Sequence, residues 1–462
     1  MKTNNSPISL LQTQSNTYNV LNNIQVHVEV RDNPYNLALD NLFQMAARIN
    51  KKRSFLFVST ILGKHLPIKP AVSLSSGVAL AARYMEILHN ISHPFQKEIL
   101  NLISLEIDEI PEEVFRYQYP LQEEVLFIGF AETATSLGHS MFQCFQNAKY
   151  VHTTRESIPH LESVITFEEE HSHATSHRCY VDESFFQNNN PIVLVDESFF
   201  QNNNPIVLVD DEMTTGKTAL NIIRSIQNKF PREEYIIASL LDWRSHTNRK
   251  QFKQLEEELQ IKVHVISLLE GSIHTTGQPL NITKTEIQIE ETKPDFKKHT
   301  LTCPKSPYTS NYIKYTGRFG ISAYEQKHIH SFAQEAGKTL KRERMGKRTL
   351  CLGTGEFMYI PMKIAAEMGE NILYQSTTRS PIHPVSNDVN YAIHNHFSYP
   401  SPEDSTITNY FYNISPHDYD EVFVFIERDL GEEALFPLLQ QLQTVIPFIH
   451  IVSFSNSIEK EG

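Results

Sequence analysis

One segment constrains the fold more than any other: residues 205–227, PIVLVDDEMTTGKTALNIIRSIQ. It begins with an apolar run of strand length, passes through small polar residues and ends in apolar residues at helical spacing. A buried strand that turns directly into a helix is typical of parallel sheets, because parallel neighbours need a crossover connection. Ligands of such sheets bind beyond the carboxyl ends of the strands, so the polar turn is a candidate site.

The same order of strand, turn and helix recurs along the chain. Residues 125–146, VLFIGFAETATSLGHSMFQCFQ, form an apolar run, a turn of small residues and a helix. Further strands are predicted at residues 23–30, 148–156, 235–243 and 263–271, and a helix at 37–48. Strands that alternate with helices predict an α/β fold, in which helices cover both faces of a mostly parallel sheet.

The bulk properties exclude several classes of protein. A formal charge of −13 argues against a nucleic-acid-binding surface, which needs clustered Lys and Arg. The four cysteines form no Cys-x-x-Cys pair, which argues against a disulfide scaffold or structural zinc and predicts a cytoplasmic location. The sequence shows neither a signal-peptide core nor a run of roughly 18 apolar residues, so no membrane association is expected.

The length of 462 residues allows two or three domains. We predict a partly disordered N-terminal segment at 1–34, an α/β domain at 35–270, a connector at 271–347 and a smaller α/β domain at 348–462. The connector is assigned from its scattered Thr, Pro and Lys residues, which show no clear period.

The turn after the strand at 205–209 has the chemistry of a sugar phosphate site. Adjacent carboxylates, Asp210 and Asp211, can accept hydrogen bonds from two vicinal hydroxyls of a ribose. A phosphate can bind the backbone N–H groups, the hydroxyls and the helix N-terminus of Thr214, Thr215, Gly216, Lys217 and Thr218. A Walker A loop is excluded, because Asp211 stands where that motif needs glycine. The alternative without a ligand is a buried strand followed by an acidic helix cap.

A perfect tandem repeat precedes this site, since residues 181–194 recur letter for letter at 195–208. Only the second copy continues into the acid pair and TTGKT, so we expect it to form the strand that leads to the site. The first copy continues into Phe199 and Phe200 and is interpreted as extra length in a connection, which costs little closure entropy. It is either a recent duplication or a sequence error.

The segment DDEMTTGKT closely resembles the motif with which type I phosphoribosyltransferases bind 5-phosphoribosyl 1-diphosphate (PRPP). The resemblance to the wider fold covers residues 48–269. It implies that Asp210 and Asp211 hold the ribose hydroxyls and that residues 214–218 cradle the 5-phosphate. The family's diphosphate loop falls at residues 128–134, with Ala131, Glu132 and Thr133 as candidates, although a plain strand–helix turn is the alternative there.

The family also has a mobile loop over the diphosphate, and TFEEEHSHATSHR at 166–178 occupies its place. Glu170, His171 and His173 are the catalytic candidates in this segment, alongside Asp210 and Asp211. Two other interpretations stay open. The histidines of the segment can bind zinc, or the segment is an ordinary exposed loop.

Residues that follow two other predicted strands are candidates for the acceptor: Lys64, His65, Trp243 and Arg244. Core or surface roles for these four side chains stay open. Arg155 is a candidate for the diphosphate. Arg155 and Arg379 follow two similar strands, and the sequence leaves open whether this pair serves a diphosphate or a contact between domains.

An internal repeat relates the two α/β regions. Gly129-x-x-Glu132 is followed by Thr153-Thr154-Arg155, and Gly353-x-x-Glu356 is followed by Thr377-Thr378-Arg379, with 21 positions from Glu to the first Thr in both (132 to 153, 356 to 377). Residues 421–443 repeat the strand, turn and helix without the acid pair or TTGKT. We interpret the second region as a degenerate copy of the fold that cannot bind PRPP in the same way; chance similarity is the alternative.

The run TRSP at 378–381 resembles the TRSP domain that follows a phosphoribosyltransferase domain in proteins of bacterial tellurite-resistance and stress gene clusters. The resemblance implies transfer of phosphoribosyl between PRPP and a nitrogenous base, with Mg²⁺ as cofactor and no direct protein metal site. A homodimer, or a pseudo-dimer of the two domains, is expected. The alternative is a non-catalytic protein that senses PRPP or a nucleotide, or a docking protein.

Overall fold

The computed structural model describes residues 15–21, 23–49, 54–107, 111–168, 176–181, 203–277, 293–306, 308–309, 311–386, 388 and 391–456. Glu170, His171 and His173 lie outside the described residues, as do residues 182–202 of the tandem repeat.

The strands and helices of the described residues are numbered in chain order. The strands are β1 (Ser15–Val20), β2 (Ile24–Asp32), β3 (Phe43–Ala47), β4 (Phe55–Ser59), β5 (Val125–Gly129), β6 (Ala148–His152), β7 (Ile165–Glu168), β8 (Ser176–Cys179), β9 (Ile206–Met213), β10 (Glu234–Asp242), β11 (Lys262–Gly277), β12 (Lys297–Thr302), β13 (Ile321–Ser322), β14 (Thr349–Gly353), β15 (Ile372–Ser376), β16 (His396–Pro400), β17 (Thr408–Tyr412), β18 (Glu421–Phe425) and β19 (Phe448–Ser455). The helices are α1 (Leu39–Leu42), α2 (Pro70–His89), α3 (Gln96–Ile103), α4 (Glu113–Arg116), α5 (Ala134–Phe142), α6 (Lys217–Lys229), α7 (His246–Leu259), α8 (Ala323–Glu343), α9 (Tyr359–Ala366) and α10 (Glu432–Gln443).

The first sheet has the order β1-β2-β11-β10-β9-β5-β6-β13. Its five central strands, β11 to β6, are parallel. Strands β2 and β13 pair antiparallel with the two ends of this group, and β1 pairs antiparallel with β2. The second sheet, β12-β19-β18-β14-β15, is parallel throughout. The predicted mostly parallel α/β fold, followed by a second α/β domain, is confirmed.

As expected, the second copy of the tandem repeat leads to the site. Residues 206–208 of that copy begin β9, which lies between β10 and β5. All three side chains are buried, which fits a central strand covered on both faces.

The strand predicted at 23–30 is confirmed by β2, which together with β1 extends the first sheet from the edge of β11. The region predicted as a connector differs from the structure. The predicted connector, 271–347, supplies β12 to the second sheet, β13 to the first, and α8. Strand β12 is an edge strand in which only Leu301 is buried, so its polar composition, KKHTLT, has no apolar alternation to reveal it.

The helix predicted at 37–48 is also wrong over most of its length. Only α1 is helical, and β3 then pairs antiparallel with β4. Every residue of β3 except Gln44 is buried, and Phe43 packs edge-on against Phe57 and Trp243. Tertiary packing of this apolar run therefore overrides a sequence pattern that suits either structure.

The two sheets are joined by one apolar core. A single cluster of buried side chains contains Val78 of α2, Met141 of α5, Ile329 of α8 and Ile364 of α9. The His139 ring of α5 stacks on the Tyr359 ring of α9, with 3.5 Å between ring centroids. The two α/β halves thus pack against each other through these helices. Among the described residues, the helices are too short or too polar to cross a membrane.

Candidate active site

The acid pair lies where the buried part of β9 ends. Val209 is fully buried, while Asp210 and Asp211 are half-buried and line a cavity at the carboxyl edge of the first sheet. The Asp211 N–H donates to the Asp210 carboxylate at 3.0 Å, which holds the Asp210 side chain against the backbone of its neighbour. Two adjacent acidic residues therefore border the same cavity.

The turn between β9 and α6 requires glycine at position 216. Gly216 has φ +75°, and a Cβ there would lie 2.6 Å from the Phe252 ring. The Thr215 hydroxyl accepts from the Lys217 N–H at 3.3 Å, and α6 begins at Lys217. Thr214, Thr215, Gly216 and Thr218 line the cavity beside the acid pair. The turn and the helix N-terminus thus form one polar end of the cavity.

Arg244 and Trp243 lie behind this turn, which corrects their predicted place at the acceptor. Arg244 is buried, forms two 2.9 Å hydrogen bonds with Asp242 and stacks over the Phe252 ring. Trp243 is 1% exposed and stacks on Phe57 at 5.1 Å. Both side chains are held in the core by these contacts, and the described cavity wall does not include them.

A second polar loop faces the acid pair from the end of β5. The Phe130 N–H donates to the Val209 carbonyl at 3.0 Å, and the Ala131 N–H donates to the Thr153 hydroxyl at 2.9 Å. The peptide bond between Ala131 and Glu132 is cis. Ala131, Glu132 and Thr133 all line the cavity, so the residues predicted from the diphosphate-loop resemblance lie beside the acid pair in space.

Glu132 is the centre of a cationic group at this loop. Its carboxylate is 3.2 Å from the Lys64 ammonium, and it accepts a 2.7 Å hydrogen bond from the Thr378 hydroxyl. Burial alone would raise the pKa of Glu132, but Lys64, Arg155 and Arg379 outweigh burial and lower it. Glu132 is therefore a buried carboxylate that pairs with Lys64 and lies in the field of Arg155 and Arg379 at one end of the cavity.

Lys64 belongs to this cationic group, whereas the sequence assigned it to the acceptor. Its ammonium donates to the Thr133 hydroxyl at 2.6 Å as well as pairing with Glu132. His65 lines the cavity and is otherwise buried, and burial together with Lys64 and Arg48 holds the pKa of His65 well below its usual value. A neutral imidazole therefore lies next to the cationic group.

The cavity has a volume of about 830 Å³ and is bordered by both halves of the chain. The second half supplies Arg379, Ser380, Thr406 and Ile407. The first half adds several wall residues that the sequence did not single out: Arg48, Leu56, Phe57, Ser59, Ser176 and Ile237. Arg48 and Ser59 stand outside any recognisable motif, so only the folded chain reveals their position. Arg178, inside the predicted mobile loop, also lines the wall.

Residues 166–168 and 176–178 of the predicted mobile loop are described, and His177 among them is engaged in contacts within the protein. Strands β7 and β8 pair antiparallel, and residues 169–175 lie outside the described residues. His177 is 1% exposed, contacts the Thr153 hydroxyl at 3.0 Å and stacks on Phe167. In the part of the chain that the structure describes, no group of three His, Cys, Asp or Glu side chains could hold a metal.

The second half repeats the backbone arrangement of the active site, but buried side chains occupy the space that is open in the first half. Gly355 N–H donates to the Thr377 hydroxyl at 3.0 Å, as Ala131 does to Thr153. Phe425 pairs with Gly353 as Val209 pairs with Gly129, so Glu427 falls at the position of Asp211. There Glu427 pairs with the buried guanidinium of Arg318, and the cavity that remains has a volume of only about 20 Å³.

Comparison with known families identifies the class of protein. Residues 42–272 match the family described as "Phosphoribosyl transferase", which covers half of the 462-residue chain. The chain therefore belongs to this family and is a phosphoribosyltransferase, an enzyme of the glycosyltransferase class. Residues 315–442 match the family described as "TRSP domain C terminus to PRTase_2", so the second half begins before the predicted residue 348.

Similarities to individual proteins are weaker. The adenine phosphoribosyltransferase of Rhodothermus marinus is 16% identical, over 50% of this chain and 96% of that chain, with a TM-score of 0.29. The Trypanosoma brucei enzyme, solved with AMP, pyrophosphate and ribose-5-phosphate, is 11% identical over 55% and 86%, with a TM-score of 0.30. The Giardia lamblia enzyme, solved with 9-deazaadenine, is 12% identical over 50% and 95%, with a TM-score of 0.27. The curated proteins contain no match.

Proposed function

We propose that the protein transfers 5-phosphoribosyl between PRPP and a nitrogenous base, with diphosphate as the leaving group or, in the reverse direction, the attacking group. The observation that carries this proposal is the single cavity that joins the acid pair of β9, the turn before α6 and the cationic group around Glu132. These three parts match the ribose, the 5-phosphate and the diphosphate of one PRPP molecule.

The 5-phosphate of PRPP carries less negative charge than the diphosphate, and the two ends of the cavity differ in positive charge. The 5-phosphate is assigned to Thr214, Thr215, Gly216, Lys217 and Thr218, where backbone N–H groups and a helix N-terminus are available. The more highly charged diphosphate is assigned to Ala131, Glu132, Thr133 and Arg155, beside the cationic group. Asp210 and Asp211 lie between the two ends and would accept hydrogen bonds from the ribose hydroxyls.

Magnesium fits this cavity as a partner of the substrate. Mg²⁺ prefers oxygen ligands and keeps several waters, so diphosphate and ribose oxygens would hold most of its coordination sphere. Asp210 and Asp211 supply anionic oxygens next to that position without forming a complete protein cage. Bound Mg²⁺ would neutralise charge on the diphosphate as it leaves.

In the proposed reaction, the bond between ribose C1 and the diphosphate oxygen breaks, and a base nitrogen forms the new bond to C1. The electron pair of the broken bond leaves with the diphosphate, where the cationic group stabilises it. Asp210 and Asp211 would hold the ribose in place while C1 carries positive charge. Glu170, His171 and His173, which lie outside the described residues, stay predicted catalytic residues.

The acceptor is assigned to the wall formed by Leu56, Phe57, Ser59 and Ile237. This wall offers an apolar face for a flat ring and one hydroxyl for a polar edge. His65 stays a predicted acceptor contact. We assign Lys64 to the diphosphate, and its ion pair with Glu132 supports this assignment. A cytoplasmic location, a homodimer, a pseudo-dimer of the two halves and a role in tellurite resistance also stay predictions.

The test is isothermal titration of PRPP with Mg²⁺ into the full chain and into the double variant Asp210→Asn/Asp211→Asn. We expect binding to the wild type and at least about a tenfold loss in the variant, because two charged hydrogen-bond acceptors for the ribose are neutralised. Glu257→Gln/Glu258→Gln on α7 removes two carboxylates outside the cavity and should bind like the wild type.

The alternative functions predict different results. A protein that only senses PRPP would bind it without releasing diphosphate in the presence of any purine, pyrimidine or related base. A docking role of the second half would survive the double variant. If the folded wild type fails to bind PRPP, the proposed substrate is wrong.

A further inference from the structure

The described cavity is not completed by the first half of the chain alone. Arg379 and Ser380, which follow β15, lie on its wall together with Thr406. Both residues are half-buried and reach the cavity from the second sheet. A transferase domain that ended near residue 272 would lack this wall, although that domain carries the acid pair and the turn.

The position of Arg379 is fixed by the residue before it. Thr378 is fully buried, and its hydroxyl donates to the Glu132 carboxylate at 2.7 Å. The backbone of Thr378 also forms two hydrogen bonds with Tyr410, of 2.9 Å and 2.7 Å. The Ser380 N–H donates back to the Thr378 hydroxyl at 3.1 Å. These contacts hold the segment rigidly against the loop that is assigned to the diphosphate.

The charge of the cationic group depends on the second half. Lys64 and Arg155 come from the first half, and Arg379 comes from the second. All three cations lower the pKa of the buried Glu132 carboxylate, so Arg379 adds a positive charge to the end of the cavity that is assigned to the diphosphate. A first half without the second would lack this charge.

The second half has no comparable open cavity among its described residues. Arg318 fills the equivalent position and pairs with Glu356 at 2.9 Å and with Glu427 at 3.1 Å. Arg379 also borders this small cavity, so it lies between the filled site and the open one. A half that has lost its own site but still borders the other site is suited to supply residues to it.

We propose that Arg379, together with Ser380, is a substrate-binding element that the TRSP half supplies to the diphosphate end of the transferase site. This inference rests on the proposed function and names a role for the second half in it. The planar guanidinium can donate two parallel hydrogen bonds to a phosphate group, and the Ser380 hydroxyl can donate a third. The second half would thereby control affinity for PRPP and for diphosphate, and would leave the 5-phosphate end unaffected.

The experiment compares three probes on the full chain: PRPP with Mg²⁺, diphosphate with Mg²⁺, and ribose 5-phosphate. In Arg379→Gln we expect affinity for PRPP and diphosphate to fall about 10- to 100-fold, as for the loss of a charged hydrogen-bonding partner. Affinity for ribose 5-phosphate should stay within about twofold, because its phosphate binds at the other end of the cavity. Arg379→Lys keeps the positive charge but lacks the two parallel N–H donors of the guanidinium, so it should restore part of the affinity.

Arg348→Gln is the matched control, because it removes an exposed guanidinium of the second half that pairs with Asp420 away from the cavity. Unchanged diphosphate affinity in Arg379→Gln would overturn the proposal. An equal loss for all three probes, accompanied by a lower melting temperature that Arg379→Lys does not restore, would assign Arg379 a structural role and overturn it as well. If the wild type binds none of the probes, the proposed function itself has failed, which is a different result.

Discussion

Thr378 in the second half donates a 2.7 Å hydrogen bond to Glu132 in the first half, and the chain contains the reciprocal contact. Thr154 in the first half donates a 2.6 Å hydrogen bond to Glu356 in the second. Equivalent residues of the two pairs are 224 positions apart in the sequence: Glu132 corresponds to Glu356, and Thr154 to Thr378. Each half thus supplies the buried partner of the other half's carboxylate, as two subunits do across an isologous interface.

These reciprocal contacts predict that the two halves stabilise each other. Thr378→Val keeps the shape of the side chain but leaves the buried Glu132 carboxylate without one donor. We expect the free energy of unfolding to fall by about 1–3 kcal/mol. Urea unfolding measures this change, with Thr339→Val on the exposed face of α8 as the control, expected within about 0.5 kcal/mol of the wild type. Equal stability of Thr378→Val and Thr339→Val would contradict a stabilising role for the contact.

The ion group in the filled site makes a second prediction. Arg318 is fully buried with Glu356 and Glu427, so Arg318→Met leaves two buried carboxylates without their cation. We expect a loss of about 3–5 kcal/mol in the free energy of unfolding. The triple variant Arg318→Met/Glu356→Gln/Glu427→Gln removes the charges together and should recover a large part of that loss. A triple variant no more stable than Arg318→Met would show that packing, and not charge, explains the effect.

The buried histidine between the halves predicts how stability depends on pH. Burial lowers the pKa of His139 to about 3, below the ordinary value of 6.5. Between pH 6.5 and about 3, His139 therefore carries a proton in the unfolded chain but not in the folded chain. The stabilisation is complete above pH 6.5 and is lost as the pH falls towards 3, at up to about 1.4 kcal/mol per pH unit.

This slope is tested with His139→Phe, which keeps a ring against Tyr359 but cannot be protonated. Chemical unfolding of the wild type and the variant at several values between pH 7 and pH 5 should show a shallower decline in the variant. His328→Phe, at an exposed position of α8, should keep the wild-type slope. Parallel curves for wild type and His139→Phe would show that His139 does not contribute to the pH dependence.

The polar end of the site could be predicted from the sequence because its determinants are local. A short apolar run, two carboxylates and TTGKT specify a strand end, a turn and a helix N-terminus within about ten residues. The loop predicted to bind the diphosphate also borders the cavity, and its determinants are local too, since a Cβ at Gly129 would lie 2.6 Å from the Tyr150 hydroxyl. By contrast, Arg48 and Thr406 reach the cavity through contacts between distant segments, which no local pattern encodes.

The difference between local patterns and contacts of distant segments also explains the predictions that were wrong. Trp243 and Arg244 follow a strand, as ligand-binding residues do, but both are buried: Arg244 pairs with Asp242, and Trp243 stacks on Phe57. Strand β12 has one buried side chain and pairs on one side only, so its sequence lacks a strand pattern. The sequence leaves open whether Arg379 serves a diphosphate or a domain contact. In the structure Arg379 lies on the cavity wall, next to Thr378, which makes a contact between the two halves.

The last prediction separates two reasons for glycine in the turn before α6. Gly216→Ala places a Cβ 2.6 Å from Phe252 in a backbone conformation with φ +75°. We expect a loss of about 1–2 kcal/mol for the conformation and about 1–3 kcal/mol more for the overpacking. Because the turn must shift to relieve this clash, affinity for ribose 5-phosphate should fall by about tenfold or more.

Gly355 supplies the matched control, since it also has positive φ, +54°, but a Cβ there would meet nothing within 4 Å. Gly355→Ala should therefore show only the conformational loss in urea unfolding, and it should bind ribose 5-phosphate like the wild type. Adding Phe252→Leu to Gly216→Ala gives the new methyl group room, so the double variant should recover part of the overpacking loss and part of the affinity. If Gly216→Ala binds ribose 5-phosphate as tightly as Gly355→Ala does, the turn before α6 is not the 5-phosphate site.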